Sequence, residues 1–376
     1  PLRDHSMVMI PYCTGDVHLG DTITTYTVQQ EGADSRDVTV HHRGYVNVMA
    51  ALDWVARNFD EPRQIVVAGS SAGSIPSPFY ADVLADRYPG AEVVALGDAS
   101  GSYRREPGAT TNPAAAWEML KVVQNHAGFE DFHTESLDFP DLYIVAAQQH
   151  PEMRLLRFDA ANDQVQLFFL ERAFADTGSV AAMIARNGVE IRQSVADFRS
   201  YLAGGPEHTI LWREAFYNYE VGETLFRDWF AAVVSGRTVP DVDCSAATGS
   251  RDSGACERPG IHLTDADELI AERALEMLVD EATWNRTDNG RCNIDDDSLV
   301  SLRCALLAST AIAGGRPLRD AGAVLEALFE ARDRLGDAEY AGSALVAFNN
   351  TPATQIADVR SLLRTVAQRS RRHIHH

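Results

Sequence analysis

The five residues Gly69-Ser70-Ser71-Ala72-Gly73 have the types and spacing of a nucleophile elbow. They follow an apolar run at 64–69 that is typical of a buried parallel strand, and they precede a helical pattern at 79–88. A tight turn from strand to helix exposes the central serine and directs the next backbone amide toward the position where an oxyanion forms. The pattern therefore predicts Ser71 as a nucleophile and the Ala72 N–H as an oxyanion donor.

A serine hydroxyl is inert near neutral pH and needs a general base. In α/β hydrolases the chain order is Ser, acid, His, so the base should follow the elbow. We favour His208, because residues 204–211 place it on a Gly/Pro loop late in this region. His150, which precedes a proline, is the second candidate; His126 and His133 are the other histidines between the elbow and the predicted linker.

The residues alone leave three candidates for the acid that orients the base. Asp98 follows the apolar run that comes after the elbow, whereas Asp159 and Asp163 follow the next predicted strand, which is the commoner location. Each of them could instead cap a helix or lie in solvent. The choice stays open at this point.

Apolar runs alternate with helical patterns up to about residue 240. We predict strands at 7–11, 64–69, 92–96 and 142–146, with a further one at 189–192, and a helix at 47–58. This alternation predicts an α/β fold with a doubly wound, mostly parallel sheet over 1–243.

The composition changes after residue 243. Residues 244–262 are rich in Gly, Ser and Asp and predict a linker, and residues 263–370 predict an appended helical domain whose first helix is capped by Thr264. Further helices are expected near 298–312, 320–335 and 354–369, and residues 371–376 resemble the remnant of a purification tag.

Composition and cysteine usage limit the class of protein. The chain has 376 residues and a formal charge of −21, a field that repels phosphate backbones and disfavours a nucleic-acid partner. No apolar run approaches the roughly 18 residues of a membrane span. Four cysteines form two close pairs, Cys244 with Cys256 and Cys292 with Cys304. Disulfides in this most local pairing would suit an exported protein, and reduced thiols are the alternative.

Several of these motifs together resemble the pectin acetylesterase/Notum family of secreted carboxylesterases with the α/β-hydrolase fold. The resemblance covers about residues 1–243 and rests on 12–21, the elbow, the Asp163-x-x-Gln166 motif and the His208 loop. It implies that Asp163 is the acid, rather than Asp159 or Asp98, beside Ser71 and His208. It also implies hydrolysis of O-acyl esters through an acyl-enzyme, without a cofactor.

The sequence departs from the family in two places. The family's strand and Gly-Gly-rich loop ahead of the Tyr-Cys motif, which provide the other oxyanion amide, have no counterpart before Tyr12. The resemblance implies that Cys13 pairs with a cysteine of that portion, so we expect a separate or cleaved N-terminal segment. The helical region after residue 243 also has no counterpart in the family.

Residues of the 12–21 segment are further site candidates. Tyr12, Gly15, Asp16 and His18 are expected to line the substrate pocket, and a metal site formed by Asp16, His18 and Asp21 is the weaker interpretation. Residues 285–296 have the spacing of a calcium loop, but a turn that caps the next helix is the favoured interpretation. We therefore predict no metal.

The expected substrate is a small-molecule or glycan ester with an acetyl or short acyl group. A strongly anionic pectin would bind against the charge of the chain, so neutral glycan esters, aryl esters and polyesters stay open. A lipid or polyester hydrolase of the same fold is the alternative enzyme. The non-enzyme alternative is a binding module that lacks a working oxyanion hole.

Overall fold

A computed structural model describes residues 1–29, 35–99, 103–109, 112, 114–174, 178–213, 215–245, 256–289, 291–292, 299–312, 321–336 and 343–374. The chain forms two compact units. The first comprises Pro1–Leu211 with Asp228–Pro259, and the second comprises Trp212–Arg227 with Gly260–His376. Residues 212–227 therefore cluster with the C-terminal helices, although they precede the predicted linker in the sequence.

The first unit is built around a five-stranded parallel sheet with the strand order β3-β4-β5-β6-β9. This sheet confirms the predicted α/β class. The strands of the chain are β1 (Thr22–Val28), β2 (Arg36–His42), β3 (Gln64–Ser70), β4 (Glu92–Asp98), β5 (Arg154–Ala160), β6 (Phe198–Ala203), β7 (Tyr219–Val221), β8 (Thr224–Leu225), β9 (Val242–Asp243) and β10 (Gly260–Ile261).

Helices α2, α4 and α6 connect successive strands of this sheet and pack side by side. Their buried side chains meet those of β4, β5 and β6 in one core, which includes Ala81, Val93, Tyr143, Leu155, Ile191 and Phe198. The helices are α1 (Gly44–Asn58), α2 (Ser77–Arg87), α3 (Met119–Val123), α4 (Phe139–Gln149), α5 (Gln164–Ala173), α6 (Val180–Ser194), α7 (Ala215–Asn218), α8 (Phe226–Val234), α9 (Asp265–Met277), α10 (Leu302–Ile312), α11 (Gly322–Leu335), α12 (Ala344–Asn350) and α13 (Ile356–Ile374).

Three predicted strands are wrong. Residues 142–146 lie in α4 and residues 189–192 lie in α6. Helix α4 packs between α2 and α6 and is buried around most of its circumference. It therefore lacks the polar face by which a surface helix is recognised in a sequence. Residues 7–11 form no strand and, apart from the half-buried Ile10, are exposed, with Met7 at 73% and Met9 at 69%.

The second unit combines a small antiparallel sheet, β10-β7-β8, with helices α9 to α13. Its apolar core includes Leu278, Trp284, Leu306, Phe348 and Leu363. Helix α9 begins with the predicted capping box, in which the Thr264 hydroxyl and the Asp267 carboxylate each bond to the other residue's backbone.

Disulfides join Cys244 to Cys256 and Cys292 to Cys304, while Cys13 is an exposed free thiol. Of the helices in the described ranges, none combines the length and the apolar character that a bilayer crossing requires.

Candidate active site

The elbow lies between β3 and α2. Strand β3 ends at Ser70, and residues Ser71–Gly73 form one 3-10 turn before α2 begins at Ser77. Ser71 has a φ of 54°, the strained left-handed conformation of a serine at the tip of such a turn. A Cβ atom at position 69 would collide with the Gly73 carbonyl, so this close return of the chain requires glycine.

The loop after β6 brings His208 to this turn. His208 Nε2 lies 2.8 Å from Ser71 Oγ, and His208 Nδ1 lies 2.7 Å from Asp163 Oδ2. The Asp163 side chain is fully buried and that of His208 is 21% exposed. An imidazole held in this way can accept the serine proton on Nε2 while the carboxylate keeps the other proton on Nδ1.

Asp163 is fixed in place because it is also the N-cap of α5. Its Oδ1 accepts hydrogen bonds from the backbone N–H groups of Val165 at 2.9 Å and Gln166 at 3.0 Å. Its Oδ2 accepts from the Gln166 side-chain amide at 3.1 Å, in addition to His208. Four donors therefore surround one carboxylate, which fixes its orientation toward the imidazole.

A buried polar network lies behind the acid. Gln166 Nε2 also donates to Asp159 Oδ1 at 3.0 Å, and the Tyr103 hydroxyl donates to Gln166 Oε1 at 2.7 Å. Asp159 in turn lies 2.8 Å from Arg157 Nε. Burial raises the pKa of Asp159 to about 7, although Arg157 opposes this shift.

The other candidate acids and the second candidate base have different partners. Asp159 bonds to the network just described, and Asp98 accepts hydrogen bonds from Ser70 and from the backbone after His208. His150 lies at the end of α4, 3.2 Å from Asp86 and 3.5 Å from Asp82.

The four pocket candidates of the 12–21 segment divide into two groups. The Tyr12 and His18 rings are in tilted contact, with centroids 4.8 Å apart, and His18 Nε2 lies 3.9 Å from the position of a Cβ on Gly73, at the elbow. Burial lowers the pKa of His18, which favours a neutral ring near pH 7. Gly15 provides a left-handed turn with a φ of 64°.

Asp16 differs from these residues because its carboxylate is fully buried. Its Oδ2 accepts a hydrogen bond from the Gly44 N–H at 2.7 Å, at the start of α1. This contact anchors the segment to a helix N-terminus, which favours a negative charge. Asp21 pairs with Arg43 rather than with Asp16 or His18.

The Cys244–Cys256 disulfide supports both the acid and the base. The Cys256 carbonyl accepts hydrogen bonds from the Gly205 N–H at 2.9 Å and from the Asn162 side chain at 2.8 Å. Gly205 belongs to the His208 loop, and Asn162 immediately precedes Asp163. The disulfide therefore fixes one acceptor between the loop that carries His208 and the residue before Asp163.

The described residues contain one group of potential metal ligands, Asp243 with Cys244 and Cys256. Both of its sulfur atoms belong to the disulfide, so they cannot bind a metal as thiolates. In the 285–296 segment, which has the spacing of a calcium loop but is interpreted as a turn, residues 290 and 293–296 lie outside the described residues. The Asn285 side chain accepts a hydrogen bond from the Thr287 N–H, an arrangement of a local turn.

The parallel sheet and the strand–elbow–helix unit define the class of protein as an α/β hydrolase. Over residues 3–156 the chain matches the pectinacetylesterase family, so the predicted resemblance is confirmed for this part, which includes Ser71. No curated protein matches the chain. Among solved structures, the Wnt deacylase Notum from Drosophila is similar, with 14% sequence identity and a TM-score of 0.35 over 61% of this chain and 68% of that chain.

Sequence reasoning missed two members of the buried networks. Tyr103 bonds to Gln166 across 63 positions, and no local pattern indicates such a contact. Arg157 and Asp159 lie two residues apart on β5, on the same side of the strand. This spacing was a usable signal for a buried ion pair within an apolar strand.

Proposed function

We propose that the chain is a secreted serine carboxylesterase that hydrolyses O-acyl esters. The single observation that supports this proposal best is the chain of hydrogen bonds from Ser71 through His208 to Asp163, at 2.8 and 2.7 Å. The family match over residues 3–156 supports the same chemistry. Two disulfides favour an oxidising compartment and hence secretion.

The proposed reaction uses protein groups and water. Ser71 Oγ bonds to the ester carbonyl carbon while its proton moves to His208 Nε2, and Asp163 stabilises the imidazolium. The Ala72 N–H donates to the oxyanion, because the first amides of a helical turn have no partner within the turn. Collapse of this tetrahedral intermediate breaks the ester C–O bond, and His208 returns its proton to the leaving alcohol.

Deacylation repeats these steps with water. His208 takes a proton from the water molecule as its oxygen attacks the acyl-enzyme, and the acid product leaves as Ser71 Oγ regains that proton. We favour an acetyl or short acyl group on a neutral glycan, since the charge of −21 disfavours a polyanionic substrate.

A longer acyl chain is the second candidate, and one observation favours it. Val165, Phe168 and Phe169 lie on one face of α5, the helix that begins at Asp163, and are 40%, 48% and 50% exposed. Exposed apolar side chains beside an active site suit a lipid or polyester substrate. The Phe168→Ser/Phe169→Ser variant should then lower kcat/KM for p-nitrophenyl octanoate and leave p-nitrophenyl acetate unchanged. An equal response of both esters contradicts this candidate.

The test of the proposed function is labelling with a fluorophosphonate, followed by mass mapping of the modified residue. We expect rapid labelling at Ser71 that is lost in Ser71→Ala and His208→Ala. Ser235→Ala is the matched control, because this exposed serine bonds locally, to the carbonyls of Ala231 and Ala232 and to Arg237 Nε. Folded wild-type protein that remains unlabelled would overturn the proposal and would favour a binding module.

A further inference from the structure

The Asp98 carboxylate connects the elbow to the loop that carries His208. Parallel pairing of β3 with β4 places Asp98 directly beside Ser70, the residue before Ser71. The Ser70 hydroxyl donates to Asp98 Oδ2 at 2.7 Å. Asp98 therefore contacts the strand end that presents the nucleophile.

The same carboxylate holds the other side of the site. Its Oδ1 accepts the Ile210 N–H at 2.9 Å, and its Oδ2 accepts the Leu211 N–H at 3.0 Å. Thr209, between His208 and these amides, has a φ of 69°, so the chain turns sharply there. Asp98 thus bonds to residues close to both groups of the proposed reaction. Ile210 is two residues from His208, and Ser70 is one residue from Ser71.

Among the described residues, each hydrogen-bond partner of the Asp98 carboxylate is a donor. It is fully buried, and its known partners are one hydroxyl and two backbone amides, each of which requires an acceptor. An apolar side chain would leave the two amides unsatisfied, and a neutral amide would put a donor against donors.

We propose that Asp98 is a positioning residue that sets the distance between Ser71 and His208. This inference rests on the proposed function. Asp98 does not act on the substrate; it holds two loops whose relative displacement by about 1 Å can cost on the order of 100-fold in rate. A role in positioning predicts a loss in kcat with KM unchanged, because the ester still binds at the same surface.

The test compares Asp98→Asn with Asp82→Asn. Asp82 is an equally buried carboxylate, 2% exposed, on α2 and has no contact with His208 or its loop among the described residues. We expect Asp98→Asn to lower kcat for p-nitrophenyl acetate and the rate of fluorophosphonate labelling by about 100-fold. KM should stay within twofold, and Asp82→Asn should match the wild type in all three quantities.

Hydrogen exchange at the Ile210 and Leu211 amides provides a readout that needs no activity. Exchange should be faster in Asp98→Asn and unchanged in Asp82→Asn, because only the first variant replaces one of the two oxygens that accept these amides with an NH₂ donor. If Asp98→Asn does not fold, Ser70→Ala removes only the donor on the elbow side, and a several-fold lower labelling rate is expected.

Three outcomes decide between the two proposals. Wild-type rates in a folded Asp98→Asn or Ser70→Ala variant would overturn the positioning role and leave the esterase intact. Loss of kcat with an equal rise in KM would also overturn it. Absence of labelling in the wild type would overturn the proposed function, and the positioning role with it, whatever the amide exchange shows.

Discussion

Replacing Asp163 by asparagine should disable the base while preserving the fold. The Asn amide has two orientations. With its NH₂ group at the Oδ1 position, it would face two backbone donors, Val165 N–H and Gln166 N–H. With its NH₂ group at the Oδ2 position, it keeps both of these capping hydrogen bonds and meets His208 Nδ1, 2.7 Å away.

The second orientation is favoured, because the Gln166 side chain retains Asp159 as its acceptor and His208 can change its tautomer. Nδ1 then accepts a hydrogen bond from the new amide, and the ring proton moves to Nε2. This N–H points at Ser71 Oγ, 2.8 Å away, so Nε2 can no longer accept the serine proton.

The expected loss in kcat is about 10⁴-fold, which corresponds to about 5.4 kcal/mol of transition-state stabilisation. Asparagine caps a helix as well as aspartate does, so the melting temperature should change little. Asp163→Ala is the control that also loses the cap, which should cost about 1 kcal/mol of stability in addition.

Steady-state kinetics with p-nitrophenyl acetate and thermal melts of the three proteins provide the measurement. The reasoning is refuted if Asp163→Asn retains more than a tenth of the wild-type kcat, because the tautomer of His208 would then not depend on Asp163. It is equally refuted if the variant melts as early as Asp163→Ala.

Three further perturbations test other parts of the first unit. Gln166→Met removes the amide that donates to Asp163, so kcat should fall about tenfold at constant KM; an unchanged kcat would show that this hydrogen bond does not orient Asp163. The Cys244→Ala/Cys256→Ala variant should lose about 3 kcal/mol of stability and part of its activity, as measured by denaturant unfolding and kcat; full activity would show that the disulfide does not support the loops. Burial raises the pKa of Asp82 to about 7, so the ionised carboxylate destabilises the folded state most above that pH. This cost disappears as the pH falls toward the pKa that Asp82 has in the unfolded chain. Asp82→Asn should therefore raise the melting temperature at pH 8 and have little effect near pH 4; a pH-independent difference would contradict this sign.

Two errors in the predicted elements arise because an apolar pattern alone does not distinguish a strand from a helix. Residues 142–146 form an uninterrupted apolar run, which a buried strand and a helix packed on several sides share. The Asp138/Asp141 capping box and Pro140 at the start of α4 were the local signals of a helix. Strand β5 was missed because Arg154 and Arg157 interrupt its apolar pattern. The ion pair with Asp159 and a hydrogen bond to the Ile184 carbonyl make the buried Arg157 tolerable.

The elbow was predictable from the sequence alone, because its requirements are local. Gly69 must lack a side chain for the chain to return past it, and the flanking strand and helix have their own periodicity. The capping box at Thr264 and the short spacing of the paired cysteines are local in the same sense.

The residues alone, without the family resemblance, do not show which carboxylate meets His208, and the tertiary structure decides it. Asp98, Asp159 and Asp163 all lie at or just after the carboxyl ends of parallel strands, so sequence position hardly separates them. The packing of β4, β5 and the His208 loop directs Asp98 to backbone amides, Asp159 to Arg157, and Asp163 to the imidazole. Local sequence determines the elbow because a turn depends on its own residues, whereas a hydrogen bond across 45 positions depends on how the intervening elements pack.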